Sequence, residues 1–266
     1  MIKPSITIFG VGKVGSALKK ALHNSGYLIR STYTRGSFPQ SAEELGDVVF
    51  LTVHDRDIKE LAERISSNFP TLMGKHIVHC SGTLDSTVLQ SVLNNGAATA
   101  SFHPLKAVTK NDDSFEHVWF DMDGDQKTLE VLKKMAEALK AHSFEIKAEA
   151  KPLLHAAAVV SANYVVTLMK MATEIAKVGG IDQEIALKAL LPLTRSSVSN
   201  IQEKGIEGSL TGPIARGDVD TIARHLKKLE QNKELLDLYK TLGRNTLQLA
   251  TDLDEKTLKD LQKLLE

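Results

Sequence analysis

The stretch Ser5-Ile-Thr-Ile-Phe-Gly10-Val-Gly12-Lys-Val-Gly15-Ser-Ala17 decides the fold. An apolar run containing Ile6 and Ile8 breaks into Gly-x-Gly-x-x-Gly and continues as a helical pattern through Val14, Ala17, Leu18 and Ala21. This order predicts a strand, a tight turn and a helix. Gly10 permits the turn, Gly12 lets backbone approach a pyrophosphate, and Gly15 lets the helix pack close to the strand, with free N–H groups at the helix start facing the anion. A glycine turn without chemical meaning can share this spacing. Here it follows the first strand and opens the first helix, so Gly10, Val11, Gly12, Lys13, Val14 and Gly15 are read as a dinucleotide cradle.

Short β-rich runs and amphipathic stretches alternate outward from that motif. The runs are 27–33, 48–53, 76–80, 99–102, 118–122 and 143–146. A βαβ rhythm of this kind predicts an α/β fold, a Rossmann-type, doubly wound, mostly parallel sheet. After Lys147 the strands stop, and helices are expected over 152–178, 183–202, 219–229, 233–250 and from 254 onward. The composition shift divides the chain into a dinucleotide-binding domain, 1–149, and an all-α domain, 150–266. The first helix of that second part is apolar on every side from Leu153 to Val166, apart from His155, Ser161, Asn163 and Tyr164. A helix apolar all round is a buried one. It is expected to form the axis of the helical domain or of a homodimer joined through that domain.

Composition excludes several classes. The 33 Lys and Arg balance 33 Asp and Glu, and neither sign forms a long block, so nucleic acid is not an expected partner. The single cysteine, Cys80, rules out an intramolecular disulfide framework and a cysteine-rich metal site, and no metal is expected. A strand is expected to begin within the first few residues, leaving no room for a signal peptide, and no uninterrupted apolar stretch is expected to reach membrane-span length. These features predict a soluble cytoplasmic protein with no membrane partner.

The nucleotide follows from the end of the second strand. An NAD-specific site places an acid about 20 residues past the glycines to hold the ribose hydroxyls. No acid occurs between Tyr27 and Ala42; Thr34 and Arg35 stand there instead. Arginine offers a bidentate fork for a 2′-phosphate and a flat face for adenine, and threonine adds a hydroxyl, so NADP is the expected cofactor. An ordinary solvated loop arginine is the alternative at Arg35.

Further segments carry a family resemblance. They are Asp47-Val-Val-Phe-Leu-Thr-Val-His-Asp-Arg-Asp-Ile58, His79-Cys-Ser-Gly-Thr83, Ser101-Phe-His-Pro-Leu105, His155-Ala-Ala-Ala with Asn163, and Leu210-Thr-Gly-Pro-Ile-Ala-Arg-Gly-Asp218 with His225-Leu226. Together they resemble the Rossmann-like NADP oxidoreductases that carry a C-terminal helical domain of unknown function. The first half is also similar to prephenate dehydrogenases, pyrroline-carboxylate reductases and the 6-phosphogluconate dehydrogenase-like superfamily. The resemblance implies an architecture and a cofactor, not a substrate, because many reactions share both.

A nicotinamide carries hydride, so the protein must hold a carbonyl or imine and move a proton. Val53 and His54, then Ser81 and Gly82, close the third and fourth strands where the nicotinamide ribose is expected; His54 is read equally as a solvated residue. His103 precedes a proline, so its backbone is extended and its ring projects from a strand end, where it can line a substrate site. Cys80 is read as a small buried hydrophobe. The related dehydrogenases often place a Lys and an Asn one helical turn apart on the first helix of the second domain. Here Lys151 and His155 have that spacing, and no Asn does. His155, with Lys151 beside it, is therefore assigned to proton transfer or carbonyl polarisation, against a plain packing role. Asn163 lies about 80° around the helix and about 12 Å along it from His155, and is assigned to the nicotinamide amide or a distal part of the substrate. Thr211 and Arg216 form a loop whose arginine either binds a substrate carboxylate or pairs with Asp218 or a partner subunit, and Asp218 is placed as the N-cap of the next helix. The expected function is NADP-dependent hydride transfer to or from a small carbonyl or imine in the cleft between the domains. The rival is a nucleotide-binding sensor or scaffold without turnover.

Overall fold

The computed structural model describes residues 3–266. The chain divides into two compact units, Met1–Ala162 and Asn163–Glu266. In the first, strands β1 (Ile6–Phe9), β2 (Ile29–Tyr33), β3 (Val48–Leu51), β4 (His76–His79), β5 (Ala98–Pro104), β6 (Trp119–Gly124) and β7 (His142–Glu145) form one seven-stranded sheet. Its order is β2-β1-β3-β4-β5-β6-β7, with every neighbouring pair parallel except β5 and β6. The segment 105–118 between those two contains no helix, and a parallel connection normally needs one to cross the sheet.

Helices α1 (Lys13–Asn24), α2 (Asp55–Asn68), α3 (Gln90–Asn94) and α4 (Gln126–Ala138) cover the two faces. Successive strand residues point to opposite faces, so Val48 and Phe50 join the apolar cluster of Leu18 and Leu132, while Val49 and Leu51 join that of Ile58 and Val92. With both faces covered, the strands read as continuous apolar runs rather than alternating ones. The strand order reverses between β1 and β3, which opens a crevice beyond their carboxyl ends.

Helix α5 (Lys151–Ala158) belongs to the sheet unit, so the division falls later than the expected boundary at 149/150. The reason is Lys151, whose side chain is fully buried against carboxylates of β6 and ties the start of α5 to the sheet. A π turn, Val159–Asn163, follows.

The second unit contains α6 (Tyr164–Val178), α7 (Gln183–Lys204), α8 (Val219–Leu229), α9 (Lys233–Leu247) and α10 (Glu255–Leu265). Ile222, Leu226, Leu247, Leu261 and Leu265 form one core, and Met171, Leu229 and Leu235 a second. Asp218 caps α8 as its position suggested, accepting the Thr221 N–H at 3.0 Å. Within the single chain the apolar helix is largely exposed. In α5 only Lys151 is buried, in α6 only Met171 and Thr173, and in α7 only Ala186. Val166, Ile185 and Leu193 are each more than half exposed. The helical run Ala148–Val178 has 31 residues and holds an 18-residue window of mean hydropathy 1.5, enough to cross a membrane by length and composition alone, and Lys151, His155, Asn163 and Lys170 interrupt it.

Candidate active site

Three glycines shape the turn between β1 and α1. Gly10 sits at φ 92°, the left-handed region that favours glycine. The Thr52 hydroxyl, at the end of β3, donates to the Gly10 carbonyl at 2.7 Å and to the Phe9 carbonyl at 3.0 Å, pinning the turn to the neighbouring strand. A Cβ at Gly15 would collide with the Gly10 carbonyl and the Thr52 hydroxyl, so this glycine is required for close helix packing. A Cβ at Gly12 would meet nothing within 4 Å. Gly12 faces open space.

That space is a cavity of about 1550 Å³ in the switch-point crevice. Gly10, Val11, Gly12, Lys13 and Val14 line one end, Thr34 and Arg35 the end of β2, and Val53, His54 and Cys80 the ends of β3 and β4. Tyr33, Ser37, Phe38, Asp57, Arg64 and Lys110 also line it, and the sequence reading had not singled them out. The Arg64 guanidinium lies 4.1 Å from the centre of the Phe38 ring, and its signal, a cation one turn before the end of α2, has no motif attached. Arg35 is 83% exposed, with Nη2 3.4 Å from Asp57 Oδ2. An acid absent from β2 is thus supplied by α2, and Asp57 lines the cavity beside the arginine. Burial pushes the Cys80 thiol up to about 12, which keeps it protonated and without nucleophilic character.

Ser81 and Gly82 do not line this cavity. The Ser81 hydroxyl donates to Asp55 Oδ2 at 2.7 Å and accepts from the N–H groups of Thr83 at 3.2 Å and Leu84 at 3.1 Å, so its role is to build the turn after β4. Gly82 instead lies under two imidazoles: a Cβ there would be 2.6 Å from His155 Nδ1 and 2.7 Å from His103 Nε2. The two ring centres are 5.8 Å apart.

Behind His103 is a buried polar cluster. Ser101 and His103 alternate with Phe102 on β5, Asp121 and Asp123 alternate with Met122 on β6, and the antiparallel register pairs Ser101 with Asp123 and His103 with Asp121. The period-2 alternation puts all four on one face. Lys151 Nζ donates to Asp121 Oδ1 at 2.5 Å and to Ser101 Oγ at 2.8 Å, and lies 3.5 Å from Asp123 Oδ1. Ser101 donates to Asp123, whose other oxygen accepts the Ser86 N–H at 2.7 Å. His103 Nδ1 is 2.7 Å from Asp121 Oδ2. Burial alone would raise the Asp121 carboxyl, but the bonds from His103 and Lys151 outweigh it and hold it below the ordinary value. Lys151 is thus a fully paired interior cation. The ammonium assigned to proton transfer beside His155 is bound by Asp121 and Ser101.

Asp121, Asp123 and Ser101 were missed. Two acids two residues apart inside an apolar strand, Asp121-Met-Asp123, are the available signal, because a buried carboxylate demands a partner. In the second unit Asn163 and Thr211 are exposed. Arg216 is exposed and forms no ion pair among the described residues; Asp218 spends its carboxylate on the Thr221 N–H. Among the described residues no group of three or more potential metal ligands occurs.

The comparisons agree with this architecture. Residues 118–246 match the family model described as "Domain of unknown function (DUF2520)". No curated protein matches the chain. A Bacteroides fragilis protein described as a "putative NADP oxidoreductase" superposes with a TM-score of 0.73 at 22% identity, over 92% of this chain and 98% of that one. A Thermotoga maritima protein gives 0.71 at 25% identity, over 92% and 98%. The Plasmodium falciparum pyrroline carboxylate reductase with NADP bound gives 0.63 at 16%, over 100% of both. Along nearly its whole length the chain is similar to Rossmann-fold NADP oxidoreductases and reductases, with the Domain of unknown function (DUF2520) matched over residues 118–246.

Proposed function

We propose that this protein is an NADP-dependent oxidoreductase that transfers hydride between the nicotinamide and a small carbonyl or imine substrate. The observation that carries this reading is the switch-point cavity, which runs from the open face of Gly12 past Arg35 to the ends of β3 and β4. The donors present fit the cofactor: the N–H groups at the start of α1 suit a pyrophosphate, and Thr34 and Arg35 suit a 2′-phosphate. When bound, the nicotinamide supplies the hydride. The chain's own part is to hold the substrate and move a proton, and we assign that part to His103 and His155. The neighbour with NADP bound supports the cofactor assignment.

A homodimer through the helical unit belongs to the same proposal. Val166 on α6 and Ile185, Leu193, Val198 and Ile201 on α7 expose apolar side chains, and a second copy is the simplest cover. The lone cysteine suits a reducing, cytoplasmic setting.

Calorimetric titration with NADPH and NADH tests the reading. NADPH binds more tightly to the parent protein, and Arg35→Asp shifts the preference toward NADH by about 1.5 to 3 kcal/mol, the range for a charge-assisted hydrogen bond. Equal affinities in the parent protein overturn the NADP assignment. Tight NADPH binding without oxidation by any member of a keto-acid, aldehyde and imine panel favours a nucleotide sensor over an enzyme.

A further inference from the structure

Relying on the NADP reading for where the adenosine half of the cofactor lies, we propose that Arg64 is the platform for the adenine ring. Its guanidinium, held over Phe38, stacks on the base and leaves the 2′-phosphate to Arg35. Arg64 thereby selects adenine nucleotides as a class, whereas Arg35 separates NADP from NAD.

The platform is built outward from the end of β2. In a sheet of this kind the adenosine ribose sits at that strand end, so its base lies in the same part of the cavity. Tyr33, the last residue of β2, stacks on Phe9 with ring centres 5.0 Å apart; Phe9 meets Phe38 at 5.9 Å, and Phe38 stacks on Phe69 at 5.8 Å with the planes 2° apart. This row of rings fixes Phe38 beside β2. Arg64 lies over it, 4.1 Å from the ring centre, and both residues line the cavity. Phe38 covers one face of the guanidinium, yet Arg64 as a whole is exposed. The opposite face is the one left for a flat ligand.

Nothing else occupies this side chain. Among the described residues Arg64 forms no ion pair, although Glu60 stands four residues before it on α2, the spacing at which a glutamate and a cation ordinarily meet. Arg35, by contrast, has Asp57 at 3.4 Å. A guanidinium is planar and weakly hydrated, and it is drawn to the face of a π system, more strongly once water is excluded. The surroundings favour a base over a phosphate. Glu60 lines the same cavity, and Arg64 stands about one turn from the end of α2 at Asn68, where the last carbonyls carry the negative end of the helix dipole. Both oppose a dianionic phosphate, and neither opposes a neutral purine. Arg35 projects from a strand end instead, free of that dipole.

Two measurements on the full chain test the platform: calorimetric titration with NADPH and NADH, and the Arg64 Nε–H resonance in ¹H–¹⁵N spectra with 5′-AMP and ribose 5-phosphate as probes. Arg64→Lys keeps the charge and removes the flat face. It is expected to weaken NADPH and NADH by the same factor, about tenfold, the range for a base on a stacking side chain, with the preference between them unchanged. The Arg64 resonance, identified by its loss in Arg64→Lys, moves upfield with 5′-AMP, because its proton enters the shielding region above the purine, and stays in place with ribose 5-phosphate. A loss confined to NADPH, or a downfield shift with both probes, makes Arg64 a phosphate ligand and overturns the platform. Unchanged affinity of Arg64→Lys for both dinucleotides overturns it as well. In each of these cases, tight NADPH binding by the parent protein leaves the cofactor reading standing. A parent protein that binds neither NADPH nor NADH overturns the cofactor reading, and the platform falls with it.

Discussion

At the scale of single residues, Lys151 shows how burial reassigns a side chain. Its position one turn before His155 suggested a shared role in proton transfer, but its ammonium is 0% exposed and bound by Asp121 at 2.5 Å. Removing one partner of a buried pair strands the other charge, at a cost of about 3–5 kcal/mol. Lys151→Met is expected to lower unfolding free energy by that amount, and Lys151→Met with Asp121→Leu to recover part of it. Urea unfolding measures both; a loss of less than about 1 kcal/mol in the single variant would contradict a desolvated pair. Neither the pair nor the His103 contact with Asp121 was legible in the sequence. Lys151 lies 30 residues from Asp121 and 50 from Ser101, and only the sheet brings them together.

At the scale of the element, β4 carries two histidines into the interior. His76 Nδ1 shares a hydrogen bond with the Thr128 hydroxyl at 2.9 Å, and His79 Nε2 meets the Asp85 carbonyl at 3.0 Å. Burial pushes both rings below the ordinary histidine value of 6.5. Below that pH the unfolded chain binds protons that the folded strand refuses, so stability falls as pH drops through 6.5. Asp121, held below the usual 3.8, adds a second loss at lower pH, as its paired carboxylate is protonated. Melting temperatures measured from pH 8 to pH 5, a range spanning the ordinary histidine value of about 6.5, are expected to decline, with a shallower slope in His79→Gln. A flat profile in the parent protein would show that these rings titrate normally. The strands themselves were readable as apolar runs, and so was the strand-turn-helix at Gly10. Less readable was the polar face of β5 and β6, because one acid at a time looks like a loop signal until its cross-strand partner is known.

At the scale of the whole molecule, the exposed apolar side chains of α6 and α7 are what the proposed homodimer covers. The sequence reading made the helix from Leu153 the axis of the helical domain or of a homodimer; within the single chain Val166 on it is 71% exposed, and Leu193 of α7 63%. Light scattering at micromolar protein without detergent is expected to give twice the 29.1 kDa chain mass. A monomer mass would remove the homodimer, and partition into phosphatidylcholine vesicles would direct the same surface to a membrane. Val166→Glu with Leu193→Glu is expected to yield monomers that remain folded, since neither side chain contributes to the cores around Leu226 and Leu235.

The sequence by itself determined what is local. Glycine spacing set the phosphate turn, hydrophobic period set strands and helices, and the missing acid after β2 pointed to the 2′-phosphate; each depends on residues within about one or two turns of one another. Only the tertiary structure decided which polar groups meet. The antiparallel β5–β6 register lined up Ser101, His103, Asp121 and Asp123 beneath Lys151, and the turn after β4 set Gly82 under two imidazoles. Such contacts depend on strand register and on the burial that forces charges to pair. Neither quantity is carried by any single stretch of the chain.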